Sequence, residues 1–415
     1  MSQPTSPVFR DGEDRAAVLD DLHDPARRVA TAAALLADAD VIVREQAARV
    51  LIGAGTEEAA RHVVPFIASP DIGVRNLAGE VLVQLGAVAV DPVAEAIGDD
   101  DYDLRKFAID VLALLPAEAA ADRIAAALQD EDQNVVLAAI DALGVLDHER
   151  RYAEPIKRLY AEHPWAQASV VHAVGTFQRP EDVDFLTEAL RNEDPSVQLT
   201  AAEALSKQSG PAVFEQLLRV VGTVHPLAQP IISASLVDFC TEHPSFVEQV
   251  PAETQALALN MLEEYDTTFV RAGMQAVRLF QARQALPRVL SLTGRDDETD
   301  LEIFQTLAAF PNPLDALLEA HQQGRLRTDP AAQLAMGLVI SGTIGAADHG
   351  AVSVFLCTHF SDLDPDTKLE VLDGLMTHGT PTLVTVVQTA LWDPAPTVQQ
   401  HAAQVLLMVA PDATF

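Results

Sequence analysis

The chain has 415 residues, 49% hydrophobic but only 5% aromatic, and its 27 basic against 61 acidic residues leave a net charge of −34. Nucleic-acid backbone binding rests on Lys and Arg neutralising phosphates, so this balance argues against a nucleic-acid ligand, and no basic tract compensates. The two cysteines, Cys240 and Cys357, stand far apart in the sequence, which argues against a disulfide framework and fits a reducing cytoplasm.

Residues 1–10 read as a disordered tail, polar and proline-containing, with no apolar run behind it, so neither a signal peptide nor a membrane anchor is expected. No later stretch offers the roughly 18 uncharged apolar residues that a spanning helix needs. From 11 to 411 the chain reads as one repeat array. Its unit is a turn, often Asp-Pro, then an apolar residue, a polar one, and an alanine-rich helix ending near Leu. Val43-Arg44, Val74-Arg75, Leu104-Arg105 and Val135-Val136 open successive units at spacings of 31, 30 and 31, and Ala166, Val197 and Ala228 continue at 31. Val270 follows only after 42 residues, which places an insert near 242–264. Leu301 and Ala332 resume at 31, Thr367 comes after 35 with a smaller insert near 343–362, and Val398 again follows at 31.

A period near 31 residues holds two helices of three turns and two short connections, so the predicted fold is all-α: a superhelix of about twelve antiparallel hairpins. Residues 57–68, 118–129 and 181–191 exemplify the first helix of a unit. The second starts behind a capping or turn residue: Asp71 before Val74, Asp194-Pro195 before Val197, Asp329-Pro330 before Ala332. Asp caps a helix N-terminus and Pro suits its first turn. With the first apolar residue counted as position 0, the predicted core stripe is 0, 4, 7, 8 and 11, as in Val74, Ala78, Val81, Leu82 and Leu85. Small Ala at position 4 allows neighbouring hairpins to approach closely.

The run from Asp194 to Leu205, Asp-Pro-x-Val-x-x-x-Ala-Ala-x-x-Leu, resembles the HEAT repeat, in the short form named after phycobilisome lyases. The resemblance implies an α/α solenoid. It also implies a hydrogen-bonded ladder between turn aspartates and the residue after position 0, here Arg44, Arg75 and Arg105 early, then Gln167, Gln198 and Gln229. HEAT proteins include deoxyhypusine hydroxylase, which holds two irons on several His-Glu dipeptides; this chain has one, His148-Glu149. The excess of carboxylates and the presence of only four lysines (Lys106, Lys157, Lys207 and Lys368) resemble a salt-adapted cytoplasmic protein.

The functional reading is a non-catalytic scaffold or adaptor, in signalling or complex assembly, holding a protein partner on the concave face, with no cofactor and no membrane association. The alternative is a lyase-like or other enzyme-associated protein that handles a chromophore or a metal. Positions 2, 6 and 9 lie opposite the core stripe and are expected to line the partner groove. Position 6 makes its N-terminal half anionic through Glu80, Asp110, Asp141 and Glu203. Position 2 then supplies Leu199, Ile303, Leu334 and Leu369, and position 6 supplies Leu307 and Leu338, an apolar later half. Exposed apolar patches of this kind mark interaction sites; burial of these rows by superhelix curvature or by the insert is the competing reading.

Overall fold

A computed structural model describes residues 19, 21–116, 120–147, 149–378 and 384–409. The expected tail at 1–10 and His148 lie outside the described residues. Among the described residues there is no strand, and the α-helices form twelve consecutive pairs. The chain packs as two compact units, Met1–Gln208 and Ser209–Phe415.

The first unit contains α1 Pro25–Leu35, α2 Val41–Ala54, α3 Glu57–Val63, α4 Ile72–Leu85, α5 Val90–Glu95, α6 Tyr102–Ala113, α7 Ala121–Ala126, α8 Gln133–Leu146, α9 Ala153–Glu162, α10 Gln167–Phe177, α11 Val183–Ala189 and α12 Pro195–Ser206. The second contains α13 Pro211–Val220, α14 Gln229–Glu242, α15 Ala252–Asn260, α16 Thr267–Leu279, α17 Leu286–Leu290, α18 Asp297–Ala308, α19 Pro313–Gln322, α20 Thr328–Ile340, α21 His349–His359, α22 Pro365–His378, α23 Val384–Ala390 and α24 Pro396–Val409. Even-numbered helices are the second members of the hairpins, and in the first unit they pack on one another in sequence.

The second helices start where they do because aspartate caps them. Asp40, Asp71, Asp101, Asp132 and Asp194 sit in extended backbone before α2, α4, α6, α8 and α12, each accepting a first-turn N–H at 2.8–3.0 Å. A cap of this kind stabilises its helix by about 1 kcal/mol, so part of the acidic excess has a structural use. The core stripe falls as its spacing predicts in α4, where Val74, Ala78, Val81, Leu82 and Leu85 are all buried, and in α8, through Val135, Ala139, Ala142, Leu143 and Leu146. Successive second helices come close enough that a Cβ on Gly175 would lie 2.5 Å from the Cβ of Ala204, and one on Gly144 would lie 3.1 Å from Ala173. Position 9 therefore faces the next second helix in α8 and α10.

The helical run Ile72–Gly98 is long and apolar enough by composition to cross a membrane. It is bent at Gly86 (φ 63) into α4 and α5, which belong to different hairpins, and both bury apolar residues in the first unit. In the second unit, the extra residues after α14 form a 3-10 turn, Pro244–Gln249, whose Phe246 packs edge-on against Phe214 (5.3 Å) and Phe239 (5.1 Å). Between α20 and α21 the chain turns through residues 341–348 with Gly342 at φ 69.

Candidate partner-binding face

The residue after position 0 does build a ladder, with a geometry richer than an Arg–Asp pair. Arg44, Arg75 and Arg105 each donate from Nη1 to the carbonyl six residues back, at Asp38, Ser69 and Asp99 (3.3, 3.2 and 3.0 Å). Gln198 and Gln399 do the same to Asn192 and Asp393, at 2.6 Å in both cases. The next rung is reached across the repeat: Arg105 clasps the Asp130 carboxylate with Nε and Nη2 (2.9 and 2.8 Å), and Lys368 meets Asp393 at 2.8 Å with both side chains buried. Asn192 donates to Gln167 Oε1 at 3.0 Å in the equivalent place. The Arg105 bond holds the Asp130 carboxyl below its ordinary range, aided by the backbone N–H of Asp132. These groups are occupied with one another and serve the turn.

Position 6 presents the acidic row to solvent in the first unit: Glu80, Asp141 and Glu203 are exposed and Asp110 is half-buried. Asp110 pairs with Lys106 one turn back, at 2.5 Å. Although Asp141 reaches solvent, crowding by the adjoining second helices raises its carboxyl above the usual range, with Asp110 adding to the shift and His172 opposing it. Asp110, Asp141 and His172 stand on three successive second helices, α6, α8 and α10.

Glu80 and Asp110 flank a groove of about 490 Å³ between α4 and α6. Its floor is apolar, from Ile67, Val83, Phe107 and Val111, and Leu114 stands 71% exposed at its mouth. Phe107 lies under two cations, with the Arg75 guanidinium 4.8 Å and the Lys106 ammonium 4.6 Å from its ring centre. Gly79 lines the groove beside open space, since a Cβ there would meet nothing nearer than Val111 at 4.0 Å. The sequence reading does not single out Phe107 or Leu114. The available signal is an aromatic at position 3 of α6, where the neighbouring repeats carry Gln46, Leu77 and Ala138.

The expected apolar half of the groove is corrected by the structure. Ile303, Leu307 and Leu338 are completely buried and Leu334 is 9% exposed; all four belong to the core of the second unit. Leu199 and Leu369 are half-buried. The cause is register. The buried stripe of α18 opens at Thr299, not at Leu301, which is 57% exposed. Thr299 donates its N–H and its hydroxyl to the two oxygens of Asp296 (2.8 and 2.7 Å), so its polar atom is satisfied locally and its methyl can enter the core. Shifted by two, Ile303 and Leu307 fall on positions 4 and 8. In α20 Ala331, Ala332, Ala335 and Leu338 are all fully buried, and Ala331, Ala335 and Leu338 follow the stripe one residue earlier than the count from Ala332, whose position 8, Ile340, is 44% exposed. The place of position 6 in the corrected α18 frame is taken by Gln305, which is exposed.

Among the described residues, no group of three or more His, Cys, Asp or Glu side chains is arranged to hold a metal ion. Residues 90–154 and 152–229 match the family model for HEAT repeats. No curated protein matches the chain by sequence. Among solved structures it is similar to a chain of the "Kap95:Nup1 complex", with TM-score 0.53 and 14% identity over 95% of this chain and 64% of that one. It is similar as well to one titled "Kap95p Binding Induces the Switch Loops of RanGDP to adopt the GTP-bound Conformation", with TM-score 0.55 and 14% identity over 95% of this chain and 65% of the other. The chain thus spans just under two thirds of the length of these neighbours, and at this identity the likeness establishes the fold alone, an all-α superhelix, with the HEAT-repeat model matched within residues 90–229.

Proposed function

We propose that this chain of HEAT repeats is a non-catalytic scaffold that holds a protein partner on the second-helix face of its first unit, in the groove between α4 and α6. The observation that carries the reading is the groove itself: an apolar floor that includes Phe107, Leu114 exposed at its mouth, and the carboxylates of Glu80 and Asp110 at its sides. Asp141 and Glu203 continue the anionic row along the same face. Such a site takes an apolar anchor residue with positive charge directed to Glu80, because Lys106 already pairs with Asp110 and lies with Arg75 over Phe107; a buried anchor supplies affinity and charge complementarity supplies orientation. The structural neighbours, whose titles name complexes with protein partners, support a protein as occupant.

The same reading takes the repeats as the short phycobilisome-lyase-like form, on their 31-residue period and the Asp-Pro-x-Val turn at Asp194. It takes the protein as salt-adapted and cytoplasmic, on its carboxylate excess and four lysines.

The test is a paired affinity capture in which the wild-type chain and a Leu114→Asp/Asp110→Arg variant are cross-linked to their neighbours in high-salt extract. Both substituted side chains reach solvent, so the variant should keep the wild-type helical melt. A protein recovered by the wild type and reduced about tenfold with the variant supports the groove, as expected for losing about 1.4 kcal/mol of binding. Equal recovery of every captured protein by both chains sinks it.

A further inference from the structure

The first residue of each second helix changes character along the chain. From α8 onward that place holds glutamine, proline, threonine or aspartate, residue types at home at a helix start. In α2, α4 and α6 it holds Val41, Ile72 and Tyr102, at spacings of 31 and 30 residues, and these are 52%, 63% and 50% exposed. Ile42, beside Val41, is 63% exposed as well. Capping needs none of these side chains, because Asp40, Asp71 and Asp101 already satisfy the first-turn N–H groups. A single exposed apolar residue is ordinary; the same place filled this way in three consecutive repeats makes a row along the turn edge of the first unit.

The surroundings of the row are anionic. The capping carboxylates stand next to it, and Asp99, Asp100 and Asp103 are exposed beside Tyr102. The guanidinium groups of the same turns, on Arg44, Arg75 and Arg105, are half-buried and donate inward to the turn carbonyls. What solvent meets is therefore apolar steps set among carboxylates. Packed helices stand about 8–10 Å apart, and α2 packs on α4 and α4 on α6, so the steps repeat at about that distance. A polyproline II segment has three residues per turn and advances about 3.1 Å per residue, bringing every third side chain to one face about 9 Å apart. The two pitches match.

We propose that the edge formed by Val41, Ile72 and Tyr102 docks an extended, polyproline-II-like cationic segment of a protein partner, with an apolar residue at every third position and Lys or Arg between. An exposed apolar row suits such a segment because its backbone is already ordered and loses little entropy on binding, and Tyr102 supplies the one aromatic face in the row. This surface is separate from the groove of Glu80 and Asp110, so either can fail without the other.

The experiment is fluorescence anisotropy of the full chain with a labelled nine-residue peptide repeating Leu-Arg-Pro, against peptides repeating Ser-Arg-Pro and Leu-Glu-Pro. The Leu-Arg-Pro peptide is expected to bind, to weaken with added salt, and to bind about tenfold more tightly than Ser-Arg-Pro; Leu-Glu-Pro should not bind. An Ile72→Ser/Tyr102→Ser variant should bind the first peptide about tenfold more weakly, while Gln133→Ser, the same place in α8, should leave binding unchanged. Both substituted side chains are solvent-exposed, so the double variant should melt like the wild type; Tyr102→Ser alone gives the same reading should it not. Binding of Ser-Arg-Pro as tight as that of Leu-Arg-Pro would mean mere attraction to an acidic surface and overturn the proposal. So would unchanged binding by the serine variants, or no binding of Leu-Arg-Pro at all.

Discussion

At the scale of single residues, the acidic excess divides into carboxylates that hold the fold and carboxylates that face solvent. Asp130 is of the first kind. It receives two bonds from Arg105 and an N–H from Asp132, and both side chains of the ion pair are nearly buried, 11% and 12% exposed. Asp130→Asn keeps the shape and the Asp132 bond but loses the charge opposite Arg105, so it should cost about 1.5–3 kcal/mol at neutral pH, read from urea melts. The pH dependence follows from the depressed carboxyl. Its stabilisation is complete above the usual carboxylate range and is lost as pH falls through its lowered native value. The deficit of the variant should therefore shrink in acid, where the wild-type carboxyl is protonated too; a deficit that stays constant into acid would mean that the Arg105 pair contributes nothing. Asp141 is of the second kind, with its carboxyl raised by crowding. The ladder at Arg44, Arg75 and Arg105 is what the resemblance to HEAT repeats implies. Its cross-repeat rungs, such as Arg105 to Asp130, were not legible, since they depend on which turn lies against which.

At the scale of the element, α18 shows how a correct repeat can be read in the wrong register. Leu301 sits at the expected spacing and is apolar, yet Thr299 enters the core because its hydroxyl is spent on Asp296. Thr367 does likewise in α22, bonding Asp364 through its N–H and hydroxyl, both at 2.9 Å, and there the spacing count does find it. The two aspartates are held below the usual carboxylate range chiefly by these threonine bonds. The register is open to a direct comparison. Leu301→Asp should change stability by less than about 0.5 kcal/mol, as exposed substitutions do, whereas Leu307→Asp puts an unpaired charge in the core and should cost more than about 4 kcal/mol or prevent folding. Similar melts for the two would return Leu307 to the surface. With the register corrected, the anionic first unit does not pass into an exposed apolar groove along these rows of α18 and α20.

At the scale of the whole molecule, a net charge of −34 works against compactness unless salt screens it. The thermal midpoint should rise by about 1–2 °C between 0.1 M and 2 M KCl, measured by circular dichroism, since relieving about 1–2 kcal/mol of repulsion shifts a chain of this size by that order; a flat or falling midpoint would remove salt adaptation from the functional reading. What the sequence by itself determined is the all-α class, the count of about twelve hairpins, the aspartate caps and the core stripe of helices such as α4 and α8. These rest on interactions within one hairpin or on a period that every hairpin repeats, so they are written locally. The tertiary structure alone decided which row of α18 and α20 is buried, how the chain divides at Gln208, that Phe107 lines a groove, and that Leu114 and the Ile72–Tyr102 edge are exposed. Exposure is a property of what the neighbouring helices leave uncovered, and a threonine can count as apolar only once an adjacent aspartate has taken its hydroxyl.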